Sequence, residues 1–232
     1  MTTKGIVYYT DNRLDAEILR ACQNQLLNAT YLPIVSVSLE PLDFGQNVVL
    51  DLERSVLTMF KQILAGLDST GAEIVFFAEH DILYHPSHFD FTPERDDVYY
   101  YNTNVWKVRY KDGHAMRVDD CKQTSGLCAY RSLLFEHYKK RIEIVEKDGF
   151  SRRMGFEPGT HGRKERVDDY KAEGWESEYP NIDIRHSANL TSSRWRKEQW
   201  RNKRYTKGWA EAEEIPGWGT VKNRVREILG NI

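Results

Sequence analysis

The feature that most constrains this chain is the alternation of strand-like and helix-like segments over its first eighty residues. Apolar runs at 6–9, 33–39 and 72–77 are typical of buried strands. Between them, apolar residues recur at helical spacing from about residue 14 and again over 50–67. Strands that alternate with helices form mainly parallel sheets with right-handed connections. The sequence therefore predicts an α/β fold with a mainly parallel sheet flanked by helices.

The pattern changes after this region. Residues 98–102 and 105–110 are strand-like, and Asp112-Gly113 follows as a hairpin turn, which predicts a small antiparallel addition. Residues 131–147 carry the spacing of a strong helix. Residues 150–180 are rich in glycine and charge, and we expect mostly loop there with one short helix. We expect the C-terminal tail to be helical, with a last helix over 220–229.

Composition and motifs exclude several classes of protein. No apolar run approaches the roughly 20 residues that cross a bilayer, and the chain enters its first strand without a signal-peptide core, so we expect a cytoplasmic protein. The three cysteines have neither zinc spacing nor the even number of a disulfide framework. The P-loop, the nucleophile-elbow motif and the dinucleotide fingerprint are all missing from the sequence.

The tail is basic and aromatic. From residue 194 to residue 207 seven cationic side chains accompany one acid, among Trp195, Trp200 and Tyr205. Such a stretch can follow phosphates while its rings stack on bases. A solvated tail with its tryptophans docked on the body of the protein is the alternative interpretation.

Acidic residues follow the strand over 72–77. Glu79 and Asp81 lie one residue apart, and ligands of open α/β sheets collect beyond the carboxyl ends of the strands. Carboxylates at that edge suit a divalent metal that holds phosphates. Both residues could instead be ordinary turn acids.

Five segments in this order resemble the GT-A glycosyltransferases. Glu79-His80-Asp81 resembles the family's D-x-D motif, although Glu79 stands where the family has Asp. The other four are a first strand and loop, a small-residue segment before a helix, an acidic pair before a Gly-aromatic pair, and a short strand that ends in a histidine; they occupy 8–13, 124–131, 166–175 and 182–186. The resemblance covers about residues 5–190. It implies a GT-A-like, Rossmann-like domain over 1–190 of an uncharacterised, family-two-like subgroup, with a basic helical extension over 191–232.

The resemblance also implies an activity and a site. The activity is transfer of a sugar from a nucleoside-diphosphate sugar, with a UDP-sugar favoured, to an acceptor hydroxyl with the help of Mn²⁺ or Mg²⁺. The implied metal ligands are Glu79, Asp81 and His186, and Thr10, Asp11 and Asn12 would line the nucleotide pocket. Asp11 or Asn12 could equally cap the first helix.

Two acids are candidates for the base that deprotonates the acceptor. Glu157 lies in a Gly-Phe-Glu-Pro-Gly loop with no evident structural use for a carboxylate, and Asp168 matches the family position of the base. An enzyme that retains anomeric configuration needs no such base, so both assignments stay open.

The acceptor is predicted only by class. Arg201, Lys203 and Arg204 would bind a polyanion, such as DNA with a hydroxymethylated base or an anionic glycan. Two other functions remain open: a nucleotidyltransferase or other metal-assisted phosphate enzyme, and a non-catalytic nucleic-acid-binding protein.

Overall fold

A computed structural model describes residues 2–151, 157–162, 166–187, 189 and 192–220. Its helices are α1 (Ala16–Ala29), α2 (Val56–Ser69) and α3 (Arg131–Asp148). Its strands up to the hairpin are β1 (Lys4–Tyr9), β2 (Ile34–Ser38), β3 (Gln46–Val49), β4 (Ile74–Glu79), β5 (Ile82–Leu83), β6 (Val98–Asn102), β7 (Val105–Arg109) and β8 (Ala115–Arg117). The later strands are β9 (Leu127–Tyr130), β10 (Lys171–Trp175), β11 (Asn181–Arg185), β12 (Ala210–Ala212), β13 (Glu214–Ile215) and β14 (Gly219–Thr220).

The larger sheet has seven strands in the order β10-β6-β9-β4-β1-β2-β3. The pairs β4-β1, β1-β2, β2-β3 and β10-β6 are parallel, and β9 is antiparallel to both of its neighbours. This confirms the predicted fold class, a mainly parallel α/β sheet flanked by helices.

Side-chain alternation along the central strands builds the two faces of this sheet. Val7 and Tyr9 face α2 and α3, whereas Ile6 and Tyr8 face α1. Gly66 lets α2 lie very close to β1, since a Cβ at that position would be 2.5 Å from Val7 Cγ1. Helix α2 is thereby held against the strands whose carboxyl ends form the site described below.

The smaller sheet has the order β12-β8-β7-β11-β5. Strands β7 and β8 form the predicted antiparallel hairpin, and Gly113 in its turn has φ +71°. Strand β11 is parallel to β7 and antiparallel to β5. Because β5 follows β4 almost at once, the smaller sheet adjoins the edge of the larger one where the parallel strands end.

Several local predictions are corrected. Helix α1 begins at Ala16 and is capped by Asp15, which accepts hydrogen bonds from two backbone amides, so neither Asp11 nor Asn12 is its cap. Helix α2 begins at Val56, after Ser55, and not near residue 50. In the described part of 150–180 the short helix is not found, and β10 takes its place.

The tail is not helical where it is described. Residues 192–220 form two short 3₁₀ turns and strands β12 to β14. Strand β12 pairs with β8, so this segment adds a strand to the smaller sheet. Of the helix predicted over 220–229, Thr220 ends β14 and the rest lies outside the described residues, while the domain boundary at 190 stays a prediction. None of the helices in the described ranges is long and apolar enough to span a bilayer.

Candidate active site

A cavity of about 470 Å³ lies at the carboxyl ends of the parallel strands β1 and β4. Tyr9 and Glu79 are register partners at the ends of these strands, so the residues that follow them emerge side by side. Thr10, Asp11, Glu79 and Asp81 all line the cavity. Four residues predicted from the sequence thus meet at one edge of the sheet, where α/β proteins bind their ligands.

Glu79 is held by a neighbouring tyrosine. Tyr9 Oη donates a hydrogen bond of 2.5 Å to Glu79 Oε1. Burial raises the pKa of Glu79, and the nearby charge of Asp81 raises it further. A carboxyl group that favours its neutral form is a poor metal ligand, because metals bind the carboxylate.

Asp81 is grouped with two histidines. One ligand atom from each of His80, Asp81 and His186 lies within 4.8 Å of the others. His186 Nε2 is 3.4 Å from Asp81 Oδ2, and Asn189 Nδ2 donates a hydrogen bond of 2.6 Å to the same oxygen. We call His80, Asp81 and His186 the His-Asp-His trio. It shares Asp81 and His186 with the metal set predicted from sequence, but contains His80 in the place of Glu79.

The charges around Asp81 keep it ionised. Its burial acts to raise the pKa, but the hydrogen bond with His186 acts in the opposite direction. The positive charges of His80 and His186 add to this effect, and the pKa of Asp81 is lowered below its usual value. The structure thus separates two acids one residue apart into a neutral Glu79 and an anionic Asp81.

The three residues after β1 have different roles. Thr10 Oγ1 lies 2.6 Å from His80 Nδ1 and so contacts one member of the trio. Asp11 forms an ion pair with Arg54, which also lines the cavity. Asn12 has φ +58° and accepts hydrogen bonds from the amides of Leu39 and Glu40, so it ties the loop to the end of β2. It is not among the cavity-lining residues.

Sequence reasoning missed Gln62. This side chain is buried on α2, and its Nε2 donates to the carbonyl oxygens of Thr10, at 2.8 Å, and Val37, at 3.3 Å. It therefore bridges the ends of β1 and β2 and also lines the cavity. The available signal was a glutamine among the apolar residues of an amphipathic helix.

The two candidate bases are in different places. Glu157 lines the cavity, whereas Asp168 does not. Asp168 Oδ2 accepts a hydrogen bond of 2.6 Å from Tyr99 Oη and lies 2.5 Å from His137 Nδ1. His137 is buried, so this carboxylate satisfies polar groups between α3 and β6.

The tail docks its aromatic rings on the protein. Trp200 is 6% exposed and packs with Met116 and Val118. Arg201, Lys203 and Arg204 are exposed and do not line the cavity, and Arg204 forms an ion pair of 2.7 Å with Asp120. The docked arrangement matches the alternative interpretation of this stretch, and the role of its three cations in acceptor binding stays a prediction.

Comparisons with known proteins find similarity only in solved structures. No family model matches the sequence, and no curated protein matches it. The apo-form glycosyltransferase GlyE of Streptococcus pneumoniae TIGR4 is similar at 13% identity and a TM-score of 0.38, over 64% of this chain and 39% of that one. The chain thus spans well under half of that protein.

Two further structures are similar over more of their length. The inositol-1-phosphate CTP transferase from T. maritima has 11% identity and a TM-score of 0.44, over 83% of this chain and 93% of its own. The mannose-1-phosphate geranyltransferase from Thermus thermophilus has 10% identity and a TM-score of 0.38, over 79% and 74%. Identities and TM-scores this low do not assign an activity to the chain.

Proposed function

We propose that this protein is a metal-dependent glycosyltransferase of the GT-A type, which moves a sugar from a nucleoside-diphosphate sugar to an acceptor hydroxyl. The observation that carries the proposal is the His-Asp-His trio beside a cavity at the carboxyl ends of β1 and β4. An ionised carboxylate and two imidazoles at that edge suit a cation that binds phosphates, and the cavity has the size of a small-molecule site.

The donor set of the trio favours Mn²⁺ over Mg²⁺. Mg²⁺ prefers an octahedron of oxygen ligands, whereas imidazole nitrogen is a ligand for transition metals. Two of the three groups here are histidines. When bound, the metal would neutralise the negative charge that develops on the leaving diphosphate.

The nucleotide would occupy the side of the cavity formed by β1 and α2. Thr10 and Asp11 line this side together with Gln62 and Met59. Asp11 is oriented by Arg54, so its carboxylate has a fixed position for hydroxyl groups of a ribose. We favour a UDP-sugar as the donor.

Glu157 is the base in this proposal if the reaction inverts the anomeric centre. It lines the same cavity as the trio, and a carboxylate there can take the proton from the attacking hydroxyl. Asp168 is engaged by Tyr99 and His137 away from the cavity lining. The acceptor is a polyanion, such as modified DNA or an anionic glycan, in the prediction from Arg201, Lys203 and Arg204.

Thermal unfolding with nucleotides tests the proposal. Nucleoside diphosphates with Mn²⁺ should raise the Tm of the full chain more than either component alone, because a ligand of the folded state stabilises it. The Asp81→Asn variant should lose the part that depends on metal. Greater stabilisation by nucleoside triphosphates would favour a nucleotidyltransferase, and stabilisation by an oligonucleotide alone would favour a nucleic-acid-binding protein.

A further inference from the structure

Lys107 is a half-buried cation in the wall of the cavity. Strand β7 alternates, so Trp106 and Val108 enter the core of the smaller sheet while Lys107 lies on the opposite face. Its Nζ is 5.7 Å from the centre of the Trp200 ring. No ion pair joins Lys107 to a carboxylate in the described ranges. Cations this covered usually have an anionic partner, so the absence of one points to a ligand.

Arg194 provides a second cation at the same wall. It lines the cavity, and its guanidinium lies 5.0 Å from the centre of the same Trp200 ring. Within the part of the chain that is described, Arg194 also has no ion pair with a carboxylate. Buried Trp200 therefore orders two cations from different segments, one from β7 and one from the tail.

The other cations of the cavity have protein partners. Arg54 pairs with Asp11, Lys122 with Asp120, and Arg185 with Asp183 at 3.4 Å. The positive charge that the protein does not match thus lies at the Trp200 wall. A phosphate or carboxylate there would form charge-assisted hydrogen bonds with both side chains.

The Trp200 wall is separate from the His-Asp-His trio. Lys107 is in register with Asp183 on β11, and Asp183 is in register with Ile82 on β5, which directly follows Asp81. Two strand spacings amount to about 10 Å. A sugar ring fits between anionic groups at that separation, so one anion at the trio and another at the Trp200 wall can be bound together.

We propose that Lys107 and Arg194, ordered by Trp200, bind an anionic group, a phosphate or a carboxylate, carried by the acceptor. The assignment of this anion to the acceptor rests on the proposed function, in which the trio takes the diphosphate of the donor. The anion site itself follows from the unmatched charge of the wall.

The first experiment titrates the full chain with inorganic phosphate in the presence of EDTA, which keeps metal from the trio. The probe is the indole N–H signal of Trp200 in a nitrogen-15 NMR spectrum, assigned by its loss in Trp200→Phe. The signal should shift saturably in the wild type and in Lys139→Gln, a matched loss of charge at an exposed position of α3. Phosphate affinity should fall about tenfold in Lys107→Gln and in Arg194→Gln, the scale of one charge-assisted hydrogen bond.

Lys107→Arg keeps the charge and should keep most of the phosphate affinity, which separates loss of the cation from loss of packing. A wild-type signal that does not respond, or equal titrations in all variants, would overturn the site.

The second experiment identifies the source of the anion. UDP affinity in the presence of Mn²⁺ is measured by calorimetry for the wild type and Lys107→Gln, and it should be the same in both. A tenfold loss of UDP affinity in the variant would give the anion to the donor and overturn the assignment to the acceptor. If no nucleoside diphosphate binds the wild type, the proposed function and the assignment to the acceptor both fail, while the phosphate result still decides the anion site.

Discussion

Tyr9 Oη donates a hydrogen bond of 2.5 Å to Glu79 Oε1 and so joins the last residues of two neighbouring parallel strands. This contact and its burial keep Glu79 out of the group that can hold a metal. Asp81, two residues later, is drawn the other way by its two histidines. The division of labour between these acids is the basis of the first prediction.

Glu79→Gln should leave the affinity for Mn²⁺ within about twofold of the wild type, because the amide is neutral like the acid and can still accept from Tyr9. His80→Ala should weaken it about tenfold or more, because one ligand of the trio is lost. Calorimetric titration of Mn²⁺ measures both, with His114→Ala as the control for loss of a histidine outside the trio. A loss in Glu79→Gln as large as that in His80→Ala would restore Glu79 as a ligand.

Glu157→Gln should reduce turnover about 10²-fold with donor binding retained, which is the usual scale for a general base. Asp168→Asn should instead lower the free energy of unfolding by about 1–3 kcal/mol, since it weakens the hydrogen bonds of buried Tyr99 and His137. Single-turnover assays and urea unfolding separate the two effects. The opposite pattern would make Asp168 the base, and full turnover in both variants would favour a retaining mechanism.

His88 should make the protein less stable in acid. It is buried, which lowers its pKa to about 3, whereas the unfolded chain has the ordinary value of 6.5. Between these values the unfolded state binds one more proton than the folded state, so stability falls as the pH is lowered from 6.5 toward 3. Each such proton changes the free energy of unfolding by about 1.4 kcal/mol per pH unit.

Urea unfolding between about pH 4.5 and pH 6.5 checks this contribution. His88→Gln should have a shallower slope of stability against pH, by about one proton. His137, whose pKa burial lowers to about 4, should preserve part of the slope in the variant. Equal slopes in the two proteins would contradict the prediction.

The central sheet was predictable from sequence because its strands are continuously apolar and buried. β1 and β4 have almost no exposed side chain, and an apolar run of that length has few other stable environments. Strand β10 was missed because its sequence, Lys-Ala-Glu-Gly-Trp, is largely exposed at the edge of the sheet. Its pairing with β6 depends on tertiary contacts that no local pattern encodes.

The location of the site was predictable, but part of its chemistry was not. The topology of α/β sheets brings the ends of β1 and β4 together, and the polar residues that follow each strand mark that edge. The exchange of Glu79 for His80 in the trio depends on which side chain Tyr9 meets, and this contact joins residues 70 positions apart. Lys107 and Arg194 could not be singled out either, because their common partner Trp200 reaches them only after the tail has folded back.

The most direct test of the proposed activity is the release of nucleoside diphosphate from nucleotide sugars by the wild type, Asp81→Asn and Glu79→Gln, with and without Mn²⁺. The asparagine keeps the size of a side chain that contacts His186 and Asn189, but removes its charge. The wild type should release the diphosphate only with Mn²⁺, Asp81→Asn should lose about 10²-fold or more of that rate, and Glu79→Gln should retain most of it. An Asp81→Asn enzyme as fast as the wild type, or a wild type that releases no diphosphate from any donor, would contradict the account.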